Sequence, residues 1–480
     1  MAYRDLKEFV EVLKQKGLLK EITEPVDPIL EISHICDRVV KQGGPALLFK
    51  NPKGYDIPVL INTFGTEERT CLALETESLD ALAEEVSSLL KPEIPTTLMD
   101  KIRTGMKFLS LKDLPPKTVG RGACQEIVET ESPSLAQLPI IQCWPLDGGR
   151  YITLPLVITK HPTLGTRNIG MYRLQVFDDT TLGLHWQTQK GGAYHYRVAE
   201  QLGKRLEVAI ALGPDPATIY AATAPLPDEL DEMLVAGFIR KKPVEMVKCK
   251  TVDLEVPANA QIVLEGYCEP GERRLEGPFG DHQGYYSLAR EYPVFHLTAV
   301  THQRDPIYPT IIVGPPPQED AWLGKATERL FLPLIKMTLP EVVDMNLPIE
   351  GIFHNLAIIS IKKKYPGHAK KVMHAVWGLG QLMFTKVVII VDDDVNVHDL
   401  REVMWKVGVS FDPKYDVVLS EGPADTLDFA TRTPDYGGKL GIDATRKWRE
   451  EGYPFEWPKE CKMTEEVKRR VEEMWERLGL

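Results

Sequence analysis

The sequence predicts an α/β protein in three parts, with a β-rich centre between two mixed regions. Three observations carry that prediction. The first hundred or so residues mix helical apolar spacing with short strand-like runs. Residues from about Cys124 to about Gly314 hold dense β-type runs broken by turns, and the remainder alternates wholly apolar runs with helical segments. A chain of 480 residues with 43% hydrophobic content is long enough for roughly two to four packing units.

At the start, Leu6, Phe9, Val10 and Leu13 share one face of a helix predicted over residues 3–16, and Gly17 stands where such a helix ends. A second helix is expected over 28–41. The stretch GGPALLFKNPKGYDIPVLIN then reads as two short strands joined by a Pro/Lys/Gly turn, and 77–90 is helical again. In the centre, ITLPLVIT, MYRLQVF, AQIVLEGY and YPVFHLTAVTHQRDPIYPTIIVG have the density of a barrel or a sandwich. One helix interrupts them, over 227–240, with Leu230, Met233, Leu234 and Phe238 on a common face and Glu232 off that stripe.

The punctuation Gly314-Pro315-Pro316-Pro317 precedes a region where LAIISI and KVVIIV suggest a mostly parallel, buried sheet. The closing segment TEEVKRRVEEMWERLGL aligns Val467, Val471, Met474, Trp475 and Leu478 on one stripe. That stripe is too apolar to leave wet, so the last helix is expected to pack on a neighbouring subunit.

Composition narrows the function. A formal net charge of −12 disfavours broad contact with phosphate backbones, so nucleic acid is not an expected partner. No apolar run approaches the roughly 18 to 20 residues that span a bilayer, and the opening MAYRDLKEFVEVLKQ is too polar for a secretory signal. A cytoplasmic protein is expected. The seven cysteines lie far apart with no CxxC pair, which reads as reduced thiols, and the histidines lack the close spacing of a structural zinc site.

Two runs concentrate groups able to do chemistry. In EGPFGDHQGYY, residues 276–286, Glu276 and Asp281 flank a Gly-Pro-Phe-Gly bend that turns two carboxylates toward one side. Paired acids with separated pKa values can hold a proton ready for transfer, although acids in such a turn also commonly cap backbone amides. In RNIGMYRLQVFDDTTLGLHWQTQKGG, residues 167–192, a hairpin would bring Asn168 and Arg173 to the same mouth as His185, Gln187 and Lys190. Arg173 and Lys190 suit an anionic phosphate, Asn168 offers an oxygen to a hard cation, and Gly191-Gly192 permits close backbone approach. The other reading is a surface hairpin with polar ends. Glu232 is a further oxygen ligand for Mn²⁺ or Mg²⁺, or simply a solvated helical glutamate. Asp392-Asp393-Asp394, after KVVIIV, reads as a helix start, with Lys386 before that strand as a cation for an anionic ligand.

From GGPALLFKNPKGY through CWPLDGG, NIGMYR, ALGPDPATI, VKCKTVDLEVPA, VLEGY and EGPFGDHQGYY to YPGHAKKVM, VDDDVN and LGIDATRKW, the chain resembles the UbiD decarboxylases. Its likeness is greatest to the 3-polyprenyl-4-hydroxybenzoate decarboxylases of ubiquinone and menaquinone synthesis. The resemblance implies an N-terminal α/β domain (1–115), a central split β-barrel that binds flavin (116–315) and a C-terminal α/β oligomerisation domain (316–480). It implies prenylated FMN supplied by a flavin prenyltransferase, with Mn²⁺ or Mg²⁺ bridging the phosphate and K⁺ nearby.

By the same resemblance, Asn168 and Glu232 hold the metal, and TQKGG offers Gln189 near the place where some members carry a third, histidine ligand. Met171, Tyr172, Arg173, His185, Trp186, Gln187, Lys190 and Gly191 line the cofactor, and Lys386 reaches its phosphate. Arg173, Glu276 and Asp281 are the catalytic set, with Asp281 as proton donor. The implied activity is non-oxidative, reversible decarboxylation of an aromatic carboxylic acid, a polyprenyl-hydroxybenzoate or related quinone precursor. The alternative is a carboxylase or decarboxylase of a non-quinone aromatic or unsaturated acid. A dimer or a hexamer is implied, without a transmembrane segment, and with peripheral membrane contact left open.

Overall fold

The computed structural model describes residues 2–90, 114–226 and 230–479. The helix predicted at the start spans Leu6–Gln15, capped by the Asp5 carboxylate and buried through Leu6, Phe9, Val10 and Leu13. Gly17 follows it at φ 71°, a conformation glycine adopts without strain. Helices Glu31–Val40 and Leu79–Leu90 also form, with a further helix at Glu67–Ala73 that its short apolar spacing did not reveal. The first sheet runs Leu19–Ile22, Ala46–Phe49, Val59–Ile61, Tyr308–Pro309. Its fourth strand thus arrives from far along the chain.

The centre is a curled sheet of nine strands. Its spatial order is Tyr151–Ile152, Leu174–Val176, Thr181–Leu184, Arg290–His302, Ile262–Glu276, Leu206–Leu212, Pro155–Lys160 and Arg167–Gly170, with Ile127–Glu129 also on Arg290–His302. The two longest strands form one antiparallel hairpin, paired from Ile262↔His302 to Glu276↔Arg290 with register shifts at Glu265/Gly266 and between Cys268 and Arg273. Its loop carries the EGPFGDHQGYY segment beyond the last pair of this long arm, Glu276↔Arg290. A three-stranded sheet of Lys117–Val119, Glu245–Lys248 and Glu255–Pro257 lies beside it.

Residues 227–229 of the interrupting helix lie outside the described residues, and the helix itself spans Glu232–Arg240. Of the face predicted from Leu230, Met233, Leu234 and Phe238, Met233 is buried and Phe238 packs on the core, while Leu234 is half-buried and the buried surface extends to Glu232, expected off that stripe. Leu230 is exposed, and the buried residues are Glu232, Met233, Ala236, Gly237, Ile239 and Arg240. Small Ala236 and Gly237 allow close packing, so the helix rolls to bring Glu232 inward.

The helix Asp320–Thr338 packs against Leu79–Leu90 and leads into the last sheet, ordered Val342–Asn346, Leu356–Ile361, Val387–Asp392, Tyr436–Asp443, Val417–Pro423. Only the three central strands are mutually parallel. Both edge strands pair antiparallel, which corrects the expectation of a mostly parallel sheet. The apolar runs LAIISI and KVVIIV identify the buried centre, whereas the edge strands lack such runs and left no signal. The triple aspartate does not start a helix either. Asp392 ends its strand, Asp392 and Asp394 engage Arg446, and the next helix, Leu400–Ser410, is capped by Asp399.

The final helix, Glu465–Trp475, buries no residue on its own chain, and Val467, Trp475 and Leu478 remain exposed. Among the described residues, no helix is long and apolar enough to cross a membrane.

Candidate active site

The hairpin Leu174–Val176/Thr181–Leu184 pairs Leu174 with Leu184, which places Arg173 and His185 side by side where the two strands end. The His185 amide donates to the Arg173 carbonyl at 3.3 Å. Into this mouth comes the loop of the long arm. Arg173 donates through Nε to Glu276 Oε1 at 2.9 Å and through Nη2 to Glu276 Oε2 at 3.2 Å, a two-pronged grip. Its Nη1 engages Asp281, and Nη2 also reaches Ser287 Oγ at 3.1 Å. The guanidinium lies over the Phe279 ring at 4.8 Å. The predicted catalytic residues are thus one buried cluster.

The loop is held by groups that sequence reasoning missed. Asp147 of CWPLDGG accepts from Gly280 N at 2.7 Å through one oxygen and from Cys143 and Trp144 N through the other, and burial pushes its carboxyl up to about 6. Gln175 Oε1 receives the Gly277 amide at 2.8 Å, and Ser287 Oγ the Phe279 amide at 3.2 Å. Gly277 sits at φ 96°, and a Cβ at Gly280 would stand 2.2 Å from Trp144. Both glycines are therefore required for the bend. Asp147 and Gln175 act across long sequence separations, which no local spacing betrays, whereas Ser287 closes the loop from eight residues away.

Burial and charge oppose each other here. Burial alone would raise the Glu276 carboxyl, but Arg173 and His185 outweigh it and hold the group at about 2. Burial also raises Asp281, and Arg173 with His282 brings it well below the usual carboxylate range. Arg173 stays charged despite losing hydration because the two acids more than compensate. Burial and Arg173 together push His185 down, so its Nδ1–H donates to Glu276 Oε2 at 3.1 Å and its buried Nε2 has no partner.

Acid should expose this coupling. Glu276 is held at about 2 against an ordinary 4.5, so on acidification the unfolded chain binds the proton first. The Glu276 contribution to stability is complete above about pH 4.5 and is lost as pH falls toward about 2. Urea midpoints measured across that window should fall more steeply for the natural protein than for Glu276→Gln.

The second group lies on the strand before Arg173. Asn168 Nδ2 is buried without a hydrogen-bond partner, and a Cβ at Gly191 would stand 2.0 Å from Asn168 Oδ1. Glu232 is buried, accepts the Ile169 amide at 2.9 Å, and is pushed by burial up to about 7. It makes no ion pair among the described residues. An unpaired buried carboxylate beside an orphaned amide is costly unless a cation completes it, so these residues fit a hard metal ion.

Gly191 opens the helix Gly191–Gln201, whose exposed amides suit a phosphate. Lys190 just before it is lowered by burial and reaches Gln381 Oε1 at 3.3 Å, while Lys386 pairs with Asp428 at 2.6 Å. Lys190 thus reaches across to the C-terminal region, to which Lys386 and Asp428 both belong. Met171, half-buried, donates its amide to Ala222 O at 3.2 Å, and Tyr172 meets the buried Trp186 edge-on at 6.5 Å. Gln187 is half-buried, and its carbonyl accepts from Lys190 N.

Between barrel and C-terminal region lies a cleft of about 350 Å³, lined by His185, Ser287, Leu288, Tyr292, Leu427 and Asp428 among others. A groove of about 420 Å³ along Thr118, Val119 and Lys248 contains none of these groups. The chemistry selects the cleft.

A curled barrel sheet that sinks one arginine and two acids beside an apolar-edged cleft defines the class, a carboxy-lyase, in agreement with three family models described as the N-terminal, Rift-related and C-terminal domains of 3-octaprenyl-4-hydroxybenzoate carboxy-lyase, which match residues 10–89, 117–316 and 321–444. The chain belongs to the UbiD family. It is 56% identical to an uncharacterized protein of Archaeoglobus fulgidus over 99% of this chain and 98% of that one. Among solved structures, the UbiD-class enzyme HmfF of Pelotomaculum thermopropionicum in complex with FMN is 31% identical, with a TM-score of 0.81 over 97% of this chain and 98% of that one. Vanillic acid decarboxylase of Sedimentibacter hydroxybenzoicus in its closed form is 30% identical, with a TM-score of 0.87 over 100% and 99%. The open form of that enzyme gives 0.80 over 99% and 100%, so the arrangement here is nearer to the closed one.

Proposed function

We propose that the protein is a prenylated-FMN-dependent, non-oxidative decarboxylase whose catalytic set is Arg173, Glu276 and Asp281. The observation that carries this is the buried cluster of Arg173 with Glu276 and Asp281, in a chain that also sets Asn168 beside Gly191 and Glu232 on the Ile169 amide. Asn168 and Glu232 would hold Mn²⁺ or Mg²⁺ against the cofactor phosphate, with K⁺ nearby. Lys190, Gly191 and Lys386 would meet that phosphate, and Met171, Tyr172, His185, Trp186 and Gln187 would line the ring system. When bound, the prenylated flavin supplies the electron sink that no side chain provides.

The side chains then divide the remaining work. Glu276 fixes one edge of Arg173, leaving Nη1, now on Asp281, as the group a substrate carboxylate captures. That exchange removes the main cation from Asp281, whose pKa then rises under burial, and it takes up a proton. The carbon–carboxylate bond breaks, carbon dioxide departs, and Asp281 returns its proton to the carbon that carried it. Ser287 and His185 keep Arg173 and Glu276 aligned throughout.

The substrate is an aromatic acid whose ring occupies the cleft, a 3-polyprenyl-4-hydroxybenzoate or related quinone precursor. Exposed Leu288 and Phe429 at the rim offer an apolar exit for a chain. A second reading, a non-quinone aromatic acid, is favoured by the cleft volume of about 350 Å³, which suits a single ring, and by the likeness to vanillic acid decarboxylase. Carbon dioxide release from 4-hydroxybenzoate with and without a 3-prenyl group separates them. Preference for the prenylated acid supports the first, and vanillate turnover with rejection of the prenylated acid supports the second.

The flavin prenyltransferase is the supplying partner, and the working form is a homo-oligomer. The uncovered stripe of the last helix makes a direct prediction. Val471→Glu with Trp475→Glu should lower the mass seen by light scattering without changing the circular dichroism spectrum.

A further inference from the structure

Beside the acid loop, three side chains from separate parts of the chain converge. His282 follows Asp281 in the turn that closes with the Gly284 amide on the Asp281 carbonyl. His354 precedes the strand Leu356–Ile361, and Asp425 follows the strand Val417–Pro423. One ligand atom from each lies within 4.8 Å of the others. His354 Nε2 stands 3.3 Å from Asp425 Oδ2, and the two imidazole rings are 5.1 Å apart, edge to face.

The hydrogen bonds around this cluster fix which atoms face inward. His282 Nδ1 meets Asp281 Oδ1 at 2.8 Å. A carboxylate only accepts, so Nδ1 carries a hydrogen and Nε2 is the ring atom left to face the cluster; a metal ion there takes the place of any proton that Nε2 holds. That Nε2 is buried without a hydrogen-bond partner, and so is His354 Nε2. Asp425 Oδ1 receives the Leu427 amide at 2.8 Å, which leaves Oδ2 facing the histidines. Two imidazole nitrogens and one carboxylate oxygen thus surround one buried point. A proton on His354 serves one acceptor at a time, and the His354–Asp425 approach lacks hydrogen-bond alignment. A cation serves all three.

We propose that His282 Nε2, His354 Nε2 and Asp425 Oδ2 form a second binding site for a divalent transition-metal ion of the zinc or cobalt type, independent of the flavin. Imidazole nitrogens and one carboxylate suit these ions, and Asp281–His282–metal is the carboxylate–histidine–metal arrangement that orients a ligand ring. Tetrahedral bonds of about 2.0 to 2.1 Å place ligand atoms about 3.3 Å apart. The His354–Asp425 edge has that length already, and the His282 ligand atom lies within 4.8 Å of both. Three protein ligands leave one position open. The ion would join the acid loop to the C-terminal region and pin the residue next to Asp281. Local spacing hid this site, because its ligands come from three distant segments.

The test uses full-length protein produced without the prenyltransferase and stripped by chelation, so that Asn168 and Glu232 lack the cofactor phosphate. Cobalt chloride is titrated while the visible d–d absorption is followed, and zinc is then added. One equivalent of Co²⁺ per chain, displaced by Zn²⁺, is expected. Asp425→Asn retains Oδ1 for the Leu427 amide, and with His354→Ala as an independent second variant each should weaken binding by at least about 100-fold, the upper figure for loss of an outer-shell partner. Glu232→Gln should leave the cobalt equivalent in place. In protein shown folded by its thermal melt, the proposal is overturned by the absence of a stoichiometric cobalt band, by a band that survives both variants, or by one lost in Glu232→Gln alone.

Discussion

Asp281→Asn is expected to lower turnover by about 10² to 10⁴, the usual share of a positioned general acid, while flavin and metal content stay at the natural level. The amide keeps an oxygen for Arg173 Nη1, and Arg173 retains its two bonds to Glu276. The pocket should therefore survive and only the proton be lost. In the ligand-free cluster Asp281 is a carboxylate, held down by Arg173 and His282, so the proton it donates must arrive with the substrate. It follows that Arg173→Met should also abolish turnover, although it leaves Asp281 free to protonate, because no group then takes the substrate carboxylate. Single-turnover carbon dioxide release, measured beside flavin absorbance, distinguishes these effects from loss of cofactor.

Glu232→Gln is expected to act on loading. Glu232 is a buried carboxylate pushed up to about 7, with its one oxygen on the Ile169 amide and no ion pair among the described residues. Removing its charge relieves an unpaired buried anion, so the melting temperature should hold or rise. The same change removes one of the two proposed protein ligands for the metal, and manganese and flavin occupancy should fall by at least about tenfold, the lower range for a weakened metal site. Elemental analysis and flavin absorbance of protein co-expressed with the prenyltransferase measure both. Higher stability with lower loading is a combination that a merely structural glutamate does not give.

Much of this architecture was legible because the apolar spacing is regular. The first helix, the β-rich centre and the apolar strands LAIISI and KVVIIV follow from pattern alone. The failures share a cause. The helix around Glu232 was assigned its face from side-chain hydrophobicity, yet small Ala236 and Gly237 set the approach and turned Glu232 inward. The antiparallel edge strands and the short helix Glu67–Ala73 carry too little periodicity to register.

For the site, the acid bend and the hairpin mouth could be proposed from Glu276, Asp281, Arg173 and His185. Their actual meeting depends on the register Leu174↔Leu184 and on the long arm ending at Glu276. The supports Asp147 and Gln175 reach the loop across the fold, and Ser287, within the loop, reaches Arg173. The partner of Lys386, Asp428, likewise comes from a loop that sequence order gives no reason to place there.

On the proposed function, this fold carries prenylated FMN on a metal held by Asn168 and Glu232. Mass spectrometry of the small molecules released from protein co-expressed with a flavin prenyltransferase, paired with elemental analysis, tests it most directly. Prenylated FMN together with manganese or magnesium is the expected result. Ordinary FMN alone, or no flavin at all, would contradict it.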